Sequence, residues 1–302
     1  MTEPPIDVVH VGSASCDLTE DDPRGWRLGG GACYSALTTA RLGLRTAAVV
    51  GVDTTSAAVS ELDLLRTAGV ELHLVELGEG PVFHNRETPT GRIQSWPVHG
   101  RPLPIPELLP SWWTAKAWSL VPVASELNDE WATAVPDGAF ISLAWQGLLR
   151  RRGPDQLTRH LEPVRSALLD RAQLVGVSRH DLADDVPLET VVGFLRRGAR
   201  LALTDGHQGG RLIEVPADGR TRSLDWVAVP PEREVDPTGA GDVFLAALLA
   251  TIIRPDLTTR SGYGRPIRDL VFAAATASFA VEAPGLQGVP DRVAVLGRLG
   301  QG

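Results

Sequence analysis

Asp236-Pro237-Thr238-Gly239-Ala240-Gly241-Asp242 is followed at once by the apolar run Val243–Ile253. It sets a turn of small residues against the start of a helix, with a carboxylate at each end of the turn. The first N–H groups of a helix have no internal acceptor, and the macrodipole makes that end partly positive. Glycines at 239 and 241 let an anion reach the backbone without a side chain in the way. Asp242, in the first turn, then stands beside whatever phosphate binds there. That is the layout for moving a phosphoryl group to an alcohol, with Asp242 as the base and the N–H groups of Gly239, Ala240, Gly241 and Asp242 as the anion hole. A Gly-rich cap with an acidic first turn is common in soluble helices, so Gly-x-Gly alone says little. The full string, bracketed by two aspartates, is far more specific.

About two hundred residues earlier, Gly29-Gly30-Gly31 leads into helical spacing over Ala32–Leu42 that ends at Gly43. Asp236–Asp242 resembles the C-terminal signature of the PfkB (ribokinase-like) family of carbohydrate and nucleoside kinases. The glycine triplet, with Ala36-Leu37 and Ala40-Arg41-Leu42-Gly43, resembles that family's paired-glycine motif and the helix after it. The two matches stand in family order, and the rhythm between them fits, so the resemblance covers essentially the whole chain.

The resemblance implies an α/β fold over 1–302: a mostly parallel central sheet, helices on both faces, and a small β lid built from about 14–28 and 80–101. It implies ATP and Mg²⁺, with K⁺ as a candidate activator, and a polyol substrate. Asp17, after the first strand, would hydrogen-bond substrate hydroxyls, and Gly29, Gly30 and Gly31 would let them reach the backbone. Thr204, Gly206 and Gly209 would form the nucleotide loop. Asp236 and Thr238 inherit the monovalent-cation role. The family's magnesium-linked Asn-x-x-Glu is altered here to Ser178-Arg179-His180-Asp181, which leaves Asp181 as the magnesium residue. The family often has Asn where Tyr34 stands, a departure that bears on substrate identity. Each assignment has a plainer alternative: Asp17 as a loop aspartate, Asp236 as a turn or N-cap residue, 204–210 as an ordinary hairpin turn.

Composition narrows the choice. The chain has 302 residues, 43% hydrophobic and 22% charged, which suits one α/β domain with an insertion or two small ones. A net charge of −8 opposes general nucleic-acid binding. Lys116 is the only lysine, so a Walker A loop cannot be written anywhere, and no Gly-x-Gly-x-x-Gly follows the first strand. The seven histidines form no His-x-x-x-His pair, and Cys16 and Cys33 have no metal-type spacing. Two cysteines and a start without a basic n-region or apolar core suggest a cytoplasmic protein. The apolar runs near 244–253 and 271–281 are too short to span a bilayer.

The pattern predicts strands over 7–11, 26–28, 46–50, 71–76, 115–121, 139–143, 173–177 and 200–204, with helices over 56–68, 126–134, 154–170, 187–198, 240–253 and 266–282, and a short one from 290. Val82–Arg86 and Arg92–Trp96 read as a β-hairpin, and 211–215 with 220–224 as an antiparallel pair. Gln146, Asn85 and Arg92 are candidate pocket residues. The sequence reading is thus an ATP-dependent sugar or cyclitol kinase; Tyr34 and Gln146-Gly147-x-x-Arg150 lean it toward inositol-kinase-like members. A nucleoside kinase, with Trp96 or Trp26 stacking on a base, and a catalytically silent sugar-binding regulatory protein are the alternatives. The hairpin edge invites a homodimer through the lid.

Overall fold

The computed structural model describes residues 5–88, 91–218, 220–258 and 264–300. Its strands are β1 (Val8–Ser13), β2 (Ser15–Leu18), β3 (Trp26–Gly29), β4 (Thr46–Val52), β5 (Glu71–Glu76), β6 (Val82–Thr88), β7 (Gly91–Val98), β8 (Ala117–Leu120), β9 (Phe140–Ala144), β10 (Arg150–Arg152), β11 (Thr158–His160), β12 (Leu174–Ser178), β13 (Arg200–Thr204), β14 (Gly210–Glu214) and β15 (Arg222–Trp226). Its helices are α1 (Gly31–Arg41), α2 (Glu61–Thr67), α3 (Glu130–Ala134), α4 (Ala167–Arg171), α5 (Leu188–Gly193), α6 (Ala240–Ile253), α7 (Ile267–Ala280) and α8 (Arg292–Arg298).

Nine strands make one sheet in the order β15-β14-β13-β12-β9-β8-β1-β4-β5. From β13 to β5 every neighbouring pair is parallel, and β14 and β15 close one edge antiparallel. Strands of such a sheet are covered on both faces, which is why β1 and β4 are apolar runs buried at every position. One face carries α6, packed against α1 and α7. Val243–Thr251 of α6 is buried on all sides, so this helix is sandwiched rather than amphipathic. The other face holds a tryptophan-rich core, in which Trp118, Trp131 and Trp145 are fully buried and Trp113 stacks on Trp118 at 5.2 Å.

A second, four-stranded sheet runs β3-β2-β6-β7. Its β2 begins almost where β1 ends, so it grows from the carboxyl end of the central sheet. Phe83 and Trp96 pack with Ala124 between the two. The two segments expected at about 14–28 and 80–101 are thus parts of one sheet.

Sequence periodicity fails mainly at 154–170. Its start is the turn and second strand of a hairpin, β11 pairing with β10, and only Ala167–Arg171 is helical. Gln156 takes φ 62° in the turn, and Pro163 forbids a helix from running through. The helix expected over 56–68 is split, because Val59 is extended between a 3₁₀ turn and α2. The helix expected over 126–134 starts only at Glu130.

Candidate active site

In the sheet order, β1 lies between β4 on one side and β8 on the other, so the chain reverses its direction of winding there. Ligands of open α/β sheets bind at the carboxyl ends of strands at such a point. The crevice is pinned by Glu126, buried at the ends of β1 and β8. Its carboxylate accepts from Ser13 N–H (2.9 Å), Val123 N–H (3.0 Å) and Ala124 N–H (2.8 Å). Burial pushes its carboxyl above the ordinary range, and those backbone donors pull it back. Nothing in the sequence reading singled out Glu126; the one local hint is a carboxylate just after an apolar strand.

The glycine triplet joins the two sequence motifs. Gly30 caps α1 with φ 101°, and a Cβ there would stand 2.4 Å from Ser13 O. A Cβ on Gly29 would come within 2.3 Å of Asp17 Oδ2, and one on Gly31 within 2.6 Å of Asp242 Oδ1. The bare backbone between them therefore faces Asp17 on one side and Asp242 on the other. Asp17, on β2, is held by Ser15 Oγ, which donates to its Oδ1 at 2.8 Å.

Gly239 caps α6 in the left-handed region, φ 81°, and any Cβ would meet the Tyr34 ring at 2.4 Å. Tyr34 is thus buried as the floor of the 236–242 turn. Ala240 N–H is used within the turn by Pro237 O (3.3 Å), and Val243 N–H by Gly239 O (2.9 Å). Gly241 and Asp242 contribute the first-turn N–H groups between them. Of the four backbone groups expected in an anion hole, Ala240 is therefore already partly engaged.

Beside Asp242 lies a charged network. Asp181 Oδ1 accepts from Arg150 Nη2 (2.7 Å) and Gln146 Nε2 (2.9 Å), and its Oδ2 from Ser178 N–H (3.1 Å). Arg150 also donates to Gln94 Oε1 (3.3 Å), and Gln94 Nε2 donates to Asn85 Oδ1 (2.9 Å), which ties the small sheet to the crevice. Burial raises the Asp242 carboxyl from 3.8 to about 7; Arg150 pulls it down, while Asp181 and Asp17 push it up. Of the further candidates, Gln146 and Asn85 join this network, whereas the side chain of Arg92 lies outside the described residues.

Asp181 has the geometry of a buried, hydrogen-bonded carboxylate, not of an open metal ligand. Among the described residues no group of three His, Cys, Asp or Glu side chains is placed to hold a metal ion. Asp236 is likewise engaged: Oδ1 accepts from Thr238 N–H (3.0 Å), Oδ2 from Gly285 N–H (3.2 Å), and Arg27 Nη1 stands 3.6 Å from Oδ2. Thr204 ends β13 opposite Ser178 of β12, so the 204–209 loop adjoins the Asp181 turn. Gly206 is exposed to open space, while Gly209 (φ 91°) is buried with its Cβ position 2.2 Å from Trp226 O. Gly209 is thus required by the close approach of β15, whatever binds at the loop.

The family model of pfkB family carbohydrate kinases matches residues 166–292, the part of the chain that contains the 236–242 turn. No curated protein matches the sequence. The whole chain has the ribokinase fold. A pyrophosphate-dependent ribokinase-family kinase, complexed with a pyrophosphate analog and myo-inositol, superposes with TM-score 0.71 and 17% identity, covering 96% of this chain and 99% of that one. A nucleoside kinase from Methanocaldococcus jannaschii gives 0.66 and 17%, covering 99% of each chain. Arabidopsis thaliana ribokinase, complexed with ribose and ATP, gives 0.66 and 20%, covering 98% of each. At these identities the likeness is one of fold.

Proposed function

We propose that this protein is a kinase that moves the γ-phosphoryl group of ATP to a hydroxyl of a sugar or cyclitol. The observation that carries the reading is the convergence of Asp17 and Asp242 on the bare Gly29–Gly31 backbone at the switch point of the sheet. A carboxylate accepts from vicinal hydroxyls, which suits Asp17 to a polyol. Asp242 removes the proton from the attacking hydroxyl. The new O–P bond forms as the bond from phosphorus to the bridging oxygen breaks, and ADP departs. The first-turn N–H groups of α6 stabilise charge on the transferred oxygens. A magnesium ion bound with the nucleotide would neutralise phosphate charge; Asp181, already accepting from Arg150 and Gln146, orients those two side chains. Thr204 and Gly206 border the donor. The small sheet is the lid: it carries Asp17 and is tied to the crevice through Gln94 and Arg150.

Two observations bear on the substrate. Trp96, the stronger candidate for stacking on a base, is fully buried between Phe83 and His99, at 5.2 and 4.7 Å between ring centroids. Arg24 covers one face of Trp26 at 5.0 Å. This favours a polyol over a nucleoside. The likeness to a kinase complexed with myo-inositol and a pyrophosphate analog makes cyclitols the first acceptors to try and pyrophosphate the second donor.

The test is product release from ATP or pyrophosphate with Mg²⁺ across pentoses, hexoses, inositols and nucleosides. One acceptor with fast turnover that Asp242→Asn abolishes supports the reading. Ligand-dependent melting shifts without any phosphoryl transfer would move the assignment to a silent sugar-binding protein.

A further inference from the structure

The turn that forms the anion hole carries an acid at its mouth. Asp236 sits among the backbone dipoles that should attract phosphate, and a bare carboxylate there would cancel part of their field. Some positive charge must therefore face it. The resemblance implies a monovalent cation for that part, but the carboxylate does not fit one. Thr238 N–H occupies Oδ1, Gly285 N–H occupies Oδ2, and the Arg27 guanidinium lies 3.6 Å from Oδ2. Cations are held by oxygens turned toward them, not by a carboxylate already flanked by N–H donors and a guanidinium.

The placement of Arg27 is built rather than incidental. It lies on β3 directly across from Asp17 of β2, so it belongs to the sheet that borders the crevice. Gly285 (φ 54°), whose N–H reaches Asp236, lies against the same group: a Cβ there would be in ordinary contact, 3.8 Å, with both Arg27 Cδ and Tyr34 Oη. The nearest competing acid, Asp22, is 4.0 Å from Arg27 Nε and is held more closely by Arg24 at 2.9 Å. Side-chain exposures of 18% for Arg27 and 20% for Asp236 keep solvent screening limited.

We propose that the Arg27 guanidinium takes the place of a monovalent cation at the 236–242 turn, so that the anion hole works without potassium. The proposal rests on the kinase reading of that turn, but its first readout does not. Melting temperatures are measured in choline chloride, NaCl and KCl at equal ionic strength, for the wild type, Arg27→Met and Arg27→Lys, without substrate. The wild type and Arg27→Lys should melt within about 1 °C across the salts. Arg27→Met, which removes the guanidinium and leaves Asp236 only its two backbone N–H donors, should gain roughly 2–4 °C specifically in KCl or NaCl. Turnover on the best acceptor should then be independent of the cation for the wild type. For Arg27→Met it should fall at least about tenfold in choline and recover in part with KCl. A potassium-specific rise in wild-type melting or turnover overturns the proposal, and that comparison needs no variant to fold. Undiminished Arg27→Met turnover in choline overturns it too. If no acceptor turns over, the kinase reading fails, while the melting series still decides what Arg27 does.

Discussion

At the scale of single residues, Asp242 joins chemistry to stability. Its carboxyl is raised to about 7 by burial, which in the proposed reaction would match a base to neutral pH, so turnover should rise with pH through that value. Asp242→Asn should lower turnover by about 10²–10⁴-fold without loss of donor binding, as read by single-turnover kinetics and calorimetry. The sign of the stability effect follows from the same shift. The folded protein holds the proton up to about 7 and the unfolded chain releases it near 3.8, so stability falls as pH rises between those values. Asp242→Asn should therefore be more stable than the wild type by on the order of 1–3 kcal/mol at pH 8, and equal to it near pH 3. Denaturant melts at the two pH values would show it, and a variant no more stable at pH 8 would contradict the buried carboxylate.

At the scale of elements, the crevice depends on short pieces that carry no helix or strand signal of their own. Glu126 gathers three backbone N–H groups from the ends of two strands. Glu126→Ala leaves those donors without an acceptor and should cost about 2–4 kcal/mol in urea unfolding. An unchanged midpoint would mean that the loop finds other partners. The β10–β11 hairpin presents Arg150, the group that most lowers the Asp242 carboxyl. Arg150→Met should shift the acid limb of the pH–rate profile upward by about half a unit or more, and Arg150→Lys by less. A profile that stays in place would separate Arg150 from Asp242.

At the scale of the molecule, the small sheet is joined to the main body through β2, Arg27 and the Asn85-Gln94-Arg150 chain of hydrogen bonds. Its edge strand β7 is partly covered: Trp96 N–H donates to Gln156 O at 2.6 Å, and Ser95 bridges Leu157. A second copy pairing along that edge would have to displace these contacts, so a homodimer through the small sheet would use another part of it. With a bound polyol, β2, β6 and β7 should exchange their amide hydrogens more slowly than in the free protein while β12 and β13 change little. Equal protection throughout the chain would argue against a lid.

Contiguous residues determined the alternation of strands and helices, the cap of α6, and the glycine turn that carries Asp242. These are local matters of periodicity, φ and orphan donors, and they are written where they act. Tyr34 shows the limit: the sequence marks it as an oddity near the substrate, whereas it is the buried support under Gly239. The hairpin at 150–160 was hidden because its charged, proline-flanked residues match a solvated helix as well as a strand. The pairs that finish the crevice, Glu126 with Ser13, Arg150 with Asp181 and Arg27 with Asp236, join residues far apart in the chain. Only the order of strands in the sheet brings them together, and only burial there decides which charge faces which.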